Sequence, residues 1–362
     1  MKFAFLRNPS LGHLILNSLW MFKPPKRSRV IIFYSSEESA NIAVERVVVD
    51  QLKSKSVKCV NCNLYILKAL KLFFSKLSSL LKKLGINYQI IEEIEWLHRR
   101  DIGDRLKYGG KYKYFDEEGF AKKLKPIKIN SDINNSFLSF LDKNNIKEPY
   151  VAVFSRDNTF VDKVYGSSVK QGNTRNSSFE NLVPSLNYLI EKGYSIVRMG
   201  IAVKKREAID NQMYFDYGAC NSYNPWYDLL FVRDARFLIT SNSGFSCIQT
   251  LFNTPTLVLN WMPLGFKPPY RNSLFIPKNV KYQSSQIKPI DLDESCFLAE
   301  EIDNFDKHDY ELEENSSEEI YDAVKDMLNW EHVNASSYES LLPIVDGGFG
   351  LLCKSYYKKF VK

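Results

Sequence analysis

Short apolar runs, each closing on a polar or basic residue, recur along the chain and alternate with stretches of helical periodicity. The clearest instance spans Phe237 to Pro263. Phe237–Thr240 reads as a buried strand, Ser241-Asn242-Ser243-Gly244 as a turn of small polar residues, and Phe245–Phe252 as a helix. Asn253-Thr254-Pro255 breaks it, and Thr256–Asn260 forms a second buried strand. Strand, turn, helix and strand make a βαβ unit, whose helix N-terminus favours an anion. The same rhythm runs through Lys2–Leu6, Arg29–Tyr34, a helix over Ser39–Leu52 and a strand over Lys58–Asn61. It resumes with Tyr150–Phe154, a helix over Phe179–Lys192 capped by Gly193, strands at Tyr194–Arg198 and Met213–Tyr217, and a short helix over Trp226–Arg233. Ser317–Trp330 and Ser337–Phe360 read as closing helices. Such alternation predicts an α/β protein with doubly wound parallel sheets. The expected divisions are residues 1–147, residues 148–335, and a segment 336–362 that packs back on the first domain.

Leu64 to Leu84 carries a different pattern. Leucines and Phe74 return at steps of three and four, flanked by Lys68, Lys71, Lys76, Lys82 and Lys83. This is an amphipathic basic helix. Two uses stay open: packing on the core of its own domain, or peripheral docking on an anionic bilayer.

Composition narrows the class. With 44% hydrophobic and 25% charged residues, the chain has the balance of a water-soluble globular protein of about two domains. A net charge of +7 without a compact basic motif gives no support for nucleic acid as a partner. Arg7-Asn8-Pro9 follow Met1–Leu6 at once, so no secretory core forms, and no apolar run is long enough to span a bilayer. A cytoplasmic location is expected, at the inner membrane face if the basic helix docks. Cys59-Val60-Asn61-Cys62 has no second pair and no nearby histidine, and reads as two thiols at the end of a buried strand rather than a zinc site.

The strand ends carry the candidate chemistry, because open parallel sheets bind ligands beyond the carboxyl ends of their strands. Phe154 is followed by Ser155, Arg156 and Asp157, and Val197 by Arg198 and then Gly200. Tyr214-Phe215 leads to Asp216, Ile239 to the turn Ser241–Gly244, and Leu259 to Asn260. Arg156, Arg175 and Arg198 suit a diphosphate, since guanidinium binds oxygens bidentately and keeps its charge. Asp216 and Asn260 suit ribose or sugar hydroxyls; Trp226 and Trp261 either stack on a ligand or belong to the core. Gly12 and His13 lie in the first strand-to-helix loop, where an imidazole suits a general base. No P-loop, dinucleotide fingerprint or nucleophile elbow is present.

Four stretches resemble a family of bacterial glycosyltransferases of the two-Rossmann, GT-B type. Ser10-Leu11-Gly12-His13-Leu14-Ile15-Leu16-Asn17 is similar to its R-I-G-H-L-x-x-N, with serine in place of arginine. Val153–Asp157 is similar to H-V-R-D/E, Gly193–Gly200 to G-Y-x-V-V-R-M-G, and Phe237–Asn260 to F-x-I-G-T-x-S-G…P…N. The resemblance implies two Rossmann-like domains facing a cleft and metal-independent transfer of a sugar from a nucleotide donor, with no further cofactor. The acceptor, on the first domain, is a surface polysaccharide, a lipid-linked glycan or a protein. In this family reading the amides of Ser243 and Gly244 hold the diphosphate, and Arg156, Arg175 and Arg198 neutralise the leaving group. His13 or Asp157 takes the acceptor proton, and Asn17 belongs to the acceptor loop. Pyruvyl transfer, nucleotide-sugar epimerisation and non-catalytic nucleotide-sugar binding use a similar rim and remain alternatives.

Overall fold

The computed structural model describes residues 2–5, 14–15, 30–39, 41–54, 57–83, 124–159, 162, 173–201, 209–265, 267–297, 302–333, 340–342 and 349–361. Gly12, His13 and Asn17 lie outside them. Two compact units divide near residue 128.

In the first unit, β1 (Lys2–Phe5), β2 (Val30–Tyr34) and β3 (Val57–Asn61) form a parallel sheet in that order. Between β2 and β3 runs α1 (Ile42–Leu52). Asn41 starts it by accepting the amides of Ala43 and Val44 at 2.9 and 3.1 Å. Lys125 ends it, its ammonium reaching the carbonyls of Asp50 and Lys53 at 3.1 and 2.6 Å, where the helix dipole favours a cation. The strand β3 is not buried as the sequence suggested; it is an edge among the described strands, with Lys58 and Val60 on the exterior. Cys59 and Cys62 are free, half-buried thiols. Burial pushes Cys59 up to about 11, which makes it a poor nucleophile. Following β3, α2 (Leu64–Lys83) lays Leu67 and Phe74 on Phe5 and Phe33. No helix among the described residues is long and apolar enough to cross a membrane.

The second unit begins with α3 (Ser131–Lys143), which the sequence reading placed in the first domain. Its apolar face explains the difference. Phe137 and Phe140 pack on Tyr227 and Phe231 with ring centroids 4.9–6.2 Å apart. A seven-stranded sheet follows, in the order β13 (Leu351–Leu352)-β9-β8-β7-β4-β5-β6 and parallel throughout. Its strands and helices run β4 (Tyr150–Phe154), α4 (Val183–Glu191), β5 (Ser195–Arg198), β6 (Tyr214–Asp216), α5 (Pro225–Asp234), β7 (Phe237–Ser241), β8 (Thr256–Trp261) and β9 (Ser273–Pro277). Gly193 closes α4 with φ +90°, which glycine adopts without strain. The architecture is the α/β, Rossmann-like one expected.

A small antiparallel sheet, β10 (Asn279–Tyr282), β11 (Ser285–Ile287) and β12 (Tyr310–Glu313), was not foreseen. It crosses the segment Glu300–Glu319, which reads in sequence as solvated surface. Phe305 in that segment is fully buried, against Val280 and Leu292. Then comes α6 (Ser317–Asn329), opened by a capping box between Ser316 and Glu319. Where a single closing helix was expected over Ser337–Phe360, the described residues from 349 onward hold a short strand, β13 (Leu351–Leu352), and a short helix, Lys354–Lys358. Ser355 holds this helix to α6 through two hydrogen bonds to Asp326, at 2.7 and 2.6 Å. The described residues of that segment thus pack on the second unit.

Candidate functional site

The strand order reverses at β4. From there the chain builds outward through β5 to β6, then returns to β7 on the other side and continues through β8 and β9. The rim beyond β4 and β7 is therefore the topological switch point of the sheet, where open α/β folds hold ligands. The two loops that meet there are joined directly. The Arg156 amide donates to Ser241 Oγ at 2.8 Å, tying the second residue after β4 to the last residue of β7.

Hydrogen bonds lace the loop after β4 to residues 173–178. Ser155 Oγ donates to the Ser177 carbonyl, and the Ser177 amide donates to the Arg156 carbonyl at 3.0 Å. The Arg156 guanidinium, on a residue only 7% exposed, donates to Asn176 Oδ1. Asn176 Nδ2 donates to Asn158 Oδ1 at 3.0 Å. Asp157 closes a local turn by accepting the Thr159 amide at 2.9 Å. Arg175 is half-buried, and its Nε is enclosed without a hydrogen-bond partner. Its charge bears on Cys247 and Tyr270.

That turn differs from the open anion cradle the sequence suggested. It caps itself: the Ser243 amide donates to Ser246 Oγ, and the Ser246 amide to Ser243 Oγ, both at 3.3 Å. Ser246 Oγ also shares a hydrogen with Tyr270 Oη at 2.6 Å. The helix opens as a 3₁₀ turn, Phe245–Ile248, before a single α turn, Gln249–Phe252. Ser243's amide is thus committed within the protein. Gly244 is half-buried in ordinary helical conformation, so only its small size bears on ligand approach. Asn242 Nδ2 is held by the Met262 carbonyl. Burial pushes the Cys247 thiol up to about 12 and raises Tyr270 well above its usual range, so neither titrates near neutrality.

Asn260 proves to be a clasp. It is fully buried with φ +50°, a conformation asparagine tolerates. Its Nδ2 donates to Ser177 Oγ at 2.8 Å, and its amide and Oδ1 pair reciprocally with Oδ1 and the amide of Asn315, both at 2.7 Å. Asn315 Nδ2 continues to the Pro277 carbonyl at 2.8 Å. Both side-chain groups of Asn260 are therefore engaged within the protein rather than offered to sugar hydroxyls. Trp261 is buried core.

Further along the rim, Arg198 ends β5, one strand from β4. It is 3% exposed, its guanidinium stacked 3.8 Å above the Phe179 ring. Gly200, two residues on, has φ +96°. Asp216 ends β6, the next strand out and in register with Arg198. It accepts the Ala219 amide at 3.1 Å to cap a short turn. The structure thus brings Arg156, Ser241, Asn260 and the 241–244 turn together, and sets Arg198 and Asp216 successively outward on the same rim.

Sequence reasoning missed Lys278, Glu314 and Asn315. Lys278 follows the apolar run Ser273–Pro277 and so fits the strand-end pattern, but that region reads as loop. Asn315 sits in an acidic run whose polarity conceals its burial.

No family model matches the sequence. No curated protein matches it either. Among solved structures, the chain is similar to the glycosyl transferase family 9 structure from Veillonella parvula. That match covers 91% of this chain and 98% of the other, at 12% identity and a TM-score of 0.51. It is also similar to E. coli ADP-heptose LPS heptosyltransferase II, over 91% and 99% of the two chains, at 11% identity and a TM-score of 0.47. The likeness to the Veillonella protein shows a common GT-B-type fold.

Proposed function

We propose that the chain is a glycosyltransferase whose nucleotide-sugar donor lies along the rim of the second unit. The carrying observation is the switch point itself, where the Arg156 amide is bonded to Ser241 and a buried arginine stands at the place where this fold class takes ligands. The fold likeness supports the reading as analogy. In it, Arg156 and Arg175 face the diphosphate beside Gly244, and Arg198 and Asp216 lie outward toward the nucleoside. As the bond from the anomeric carbon to the diphosphate oxygen breaks, its electron pair stays on that oxygen, where fixed cations stabilise it. The acceptor oxygen forms the new bond and yields its proton to His13 or Asp157. The cationic side chains supply the neutralisation without a metal, so EDTA is expected to leave transfer unchanged. The acceptor is a glycan, free or lipid-linked.

The test is a thermal-shift screen of nucleotide sugars followed by turnover of those that bind, with phosphoenolpyruvate alongside. Release of nucleoside diphosphate with sugar transferred is expected. Failure of every nucleotide sugar to bind or react sinks the reading, and turnover of phosphoenolpyruvate assigns pyruvyl transfer instead.

Helix α2 supports a lipid-linked acceptor. Core packing accounts for Leu67 and Phe74 but leaves Tyr65, Ile66, Leu72, Phe73 and Leu80 more than half exposed. Ile66, Phe73 and Leu80, seven apart, share one stripe, with the exposed Lys68 and Lys76 on the same helix. An apolar stripe with basic neighbours fits an anionic bilayer surface. Sedimentation with vesicles containing phosphatidylglycerol is expected to pull down the protein, and Phe73→Glu to release most of it. Equal sedimentation with purely zwitterionic vesicles would count against the electrostatic part.

A further inference from the structure

One buried cation at this rim has no assigned task. Lys278 lies immediately beyond β9 and is 5% exposed. Its amide donates to the Trp261 carbonyl at 3.3 Å. The β10–β12 ladder pairs Asn279 with Glu313, so one further step of the same register sets Lys278 opposite Glu314. Glu314 is already employed, its Oε2 accepting the Ser178 amide at 2.6 Å. Among the described residues no carboxylate forms an ion pair with the Lys278 ammonium.

Lys278 is also connected to Arg156. The path runs from the Arg156 carbonyl to Ser177, from Ser177 Oγ to Asn260, through the reciprocal pair with Asn315, and on to the Pro277 carbonyl. Burial lowers the Lys278 pKa; Glu314 opposes that lowering and Arg156 adds to it, so the two cations act on each other. An ammonium this enclosed without a bonded counter-charge is costly, and its cost falls when an anion binds beside it.

We propose that Lys278 is a further diphosphate-binding residue of the donor site, sharing with Arg156 the negative charge of the bound and departing nucleotide. The assignment rests on the nucleotide-sugar reading of the rim. The Lys278 ammonium has no ion-paired carboxylate among the described residues, and a diphosphate beside it supplies that charge. Arginine fixes oxygen geometry through its planar fork, whereas lysine acts as a point charge that can follow the diphosphate as it leaves.

Calorimetric titration of the full chain with nucleoside diphosphates and monophosphates of the common bases tests this. Wild type, Lys278→Met and Lys278→Arg are compared. Lys278→Met is expected to weaken the diphosphate about tenfold and the matching monophosphate far less, with Lys278→Arg recovering most of the loss. Methionine replaces the ammonium with a side chain of similar length, and the unliganded melting temperature checks that the fold is kept. Unchanged diphosphate affinity in Lys278→Met overturns the assignment, as does equal weakening of both nucleotides, which marks a structural role. If wild type binds no nucleoside diphosphate, the donor reading falls and this inference with it; if wild type binds and Lys278→Met is indifferent, only this inference falls.

Discussion

Replacing Arg156 with methionine is expected to slow sugar transfer on the order of a hundredfold, the usual cost of removing one preorganised group from a developing charge. Two features make the experiment clean. The bond that ties the loop after β4 to β7 comes from the Arg156 backbone amide, so it survives any change of side chain. The group lost is a charge held in a poorly solvated place, where it is worth more than at the surface. The loss should fall mainly on kcat, because the need for positive charge peaks as the donor bond breaks. Arg156→Lys should recover part of the rate by keeping the charge without the planar fork. Equal kcat in wild type and Arg156→Met would remove Arg156 from the chemistry.

Asn315→Ala is expected to destabilise the second unit by about 4 kcal/mol. The substitution strands the Asn260 amide and the Pro277 carbonyl, each fully partnered in the native protein, and an orphaned buried group costs about 1–3 kcal/mol. That is a large share of the stability of an ordinary domain. Asn315→Asp keeps the acceptor for Asn260 but loses the donor to Pro277 and puts a carboxylate in a fully buried place, so it should cost at least as much. Urea unfolding followed through the second unit measures both. A midpoint unmoved by Asn315→Ala would show that the clasp is dispensable. Because the same bonds support Ser177 and the residue before Lys278, nucleotide affinity should fall together with stability.

Much of the fold was legible because parallel strands buried on both faces announce themselves. Tyr150–Phe154, Ser195–Arg198 and Phe237–Ser241 are apolar runs bounded by polar residues, and each lies within a residue or so of its expected place. Tertiary context decided the rest. The helix Ser131–Lys143 follows its aromatic face to Tyr227 and Phe231, a partnership that spacing along the chain does not reveal. Leu351–Leu352 is too short for any periodicity and exists as a strand because β9 offers a free edge. At the rim, Arg156 and the 241–244 turn were found through their position after strands. Asn260 stands out for the same reason, yet both ends of its side chain are engaged within the protein, which the pattern along the chain does not reveal. Lys278 and Asn315 escaped because burial of a polar residue is set by what folds over it, here the small antiparallel sheet.

The pairing of Leu351–Leu352 with β9 has a consequence for synthesis in the cell. A sheet whose first strand in the chain begins at Tyr150 cannot be completed until about two hundred further residues have left the ribosome, since β13 arrives after all its neighbours. Until then the nascent polypeptide carries the apolar Ser273–Pro277 strand with one side open to passing chains. Translation pauses shortly before Leu351 would lengthen that exposure, and chaperone occupancy should be greatest on intermediates arrested there.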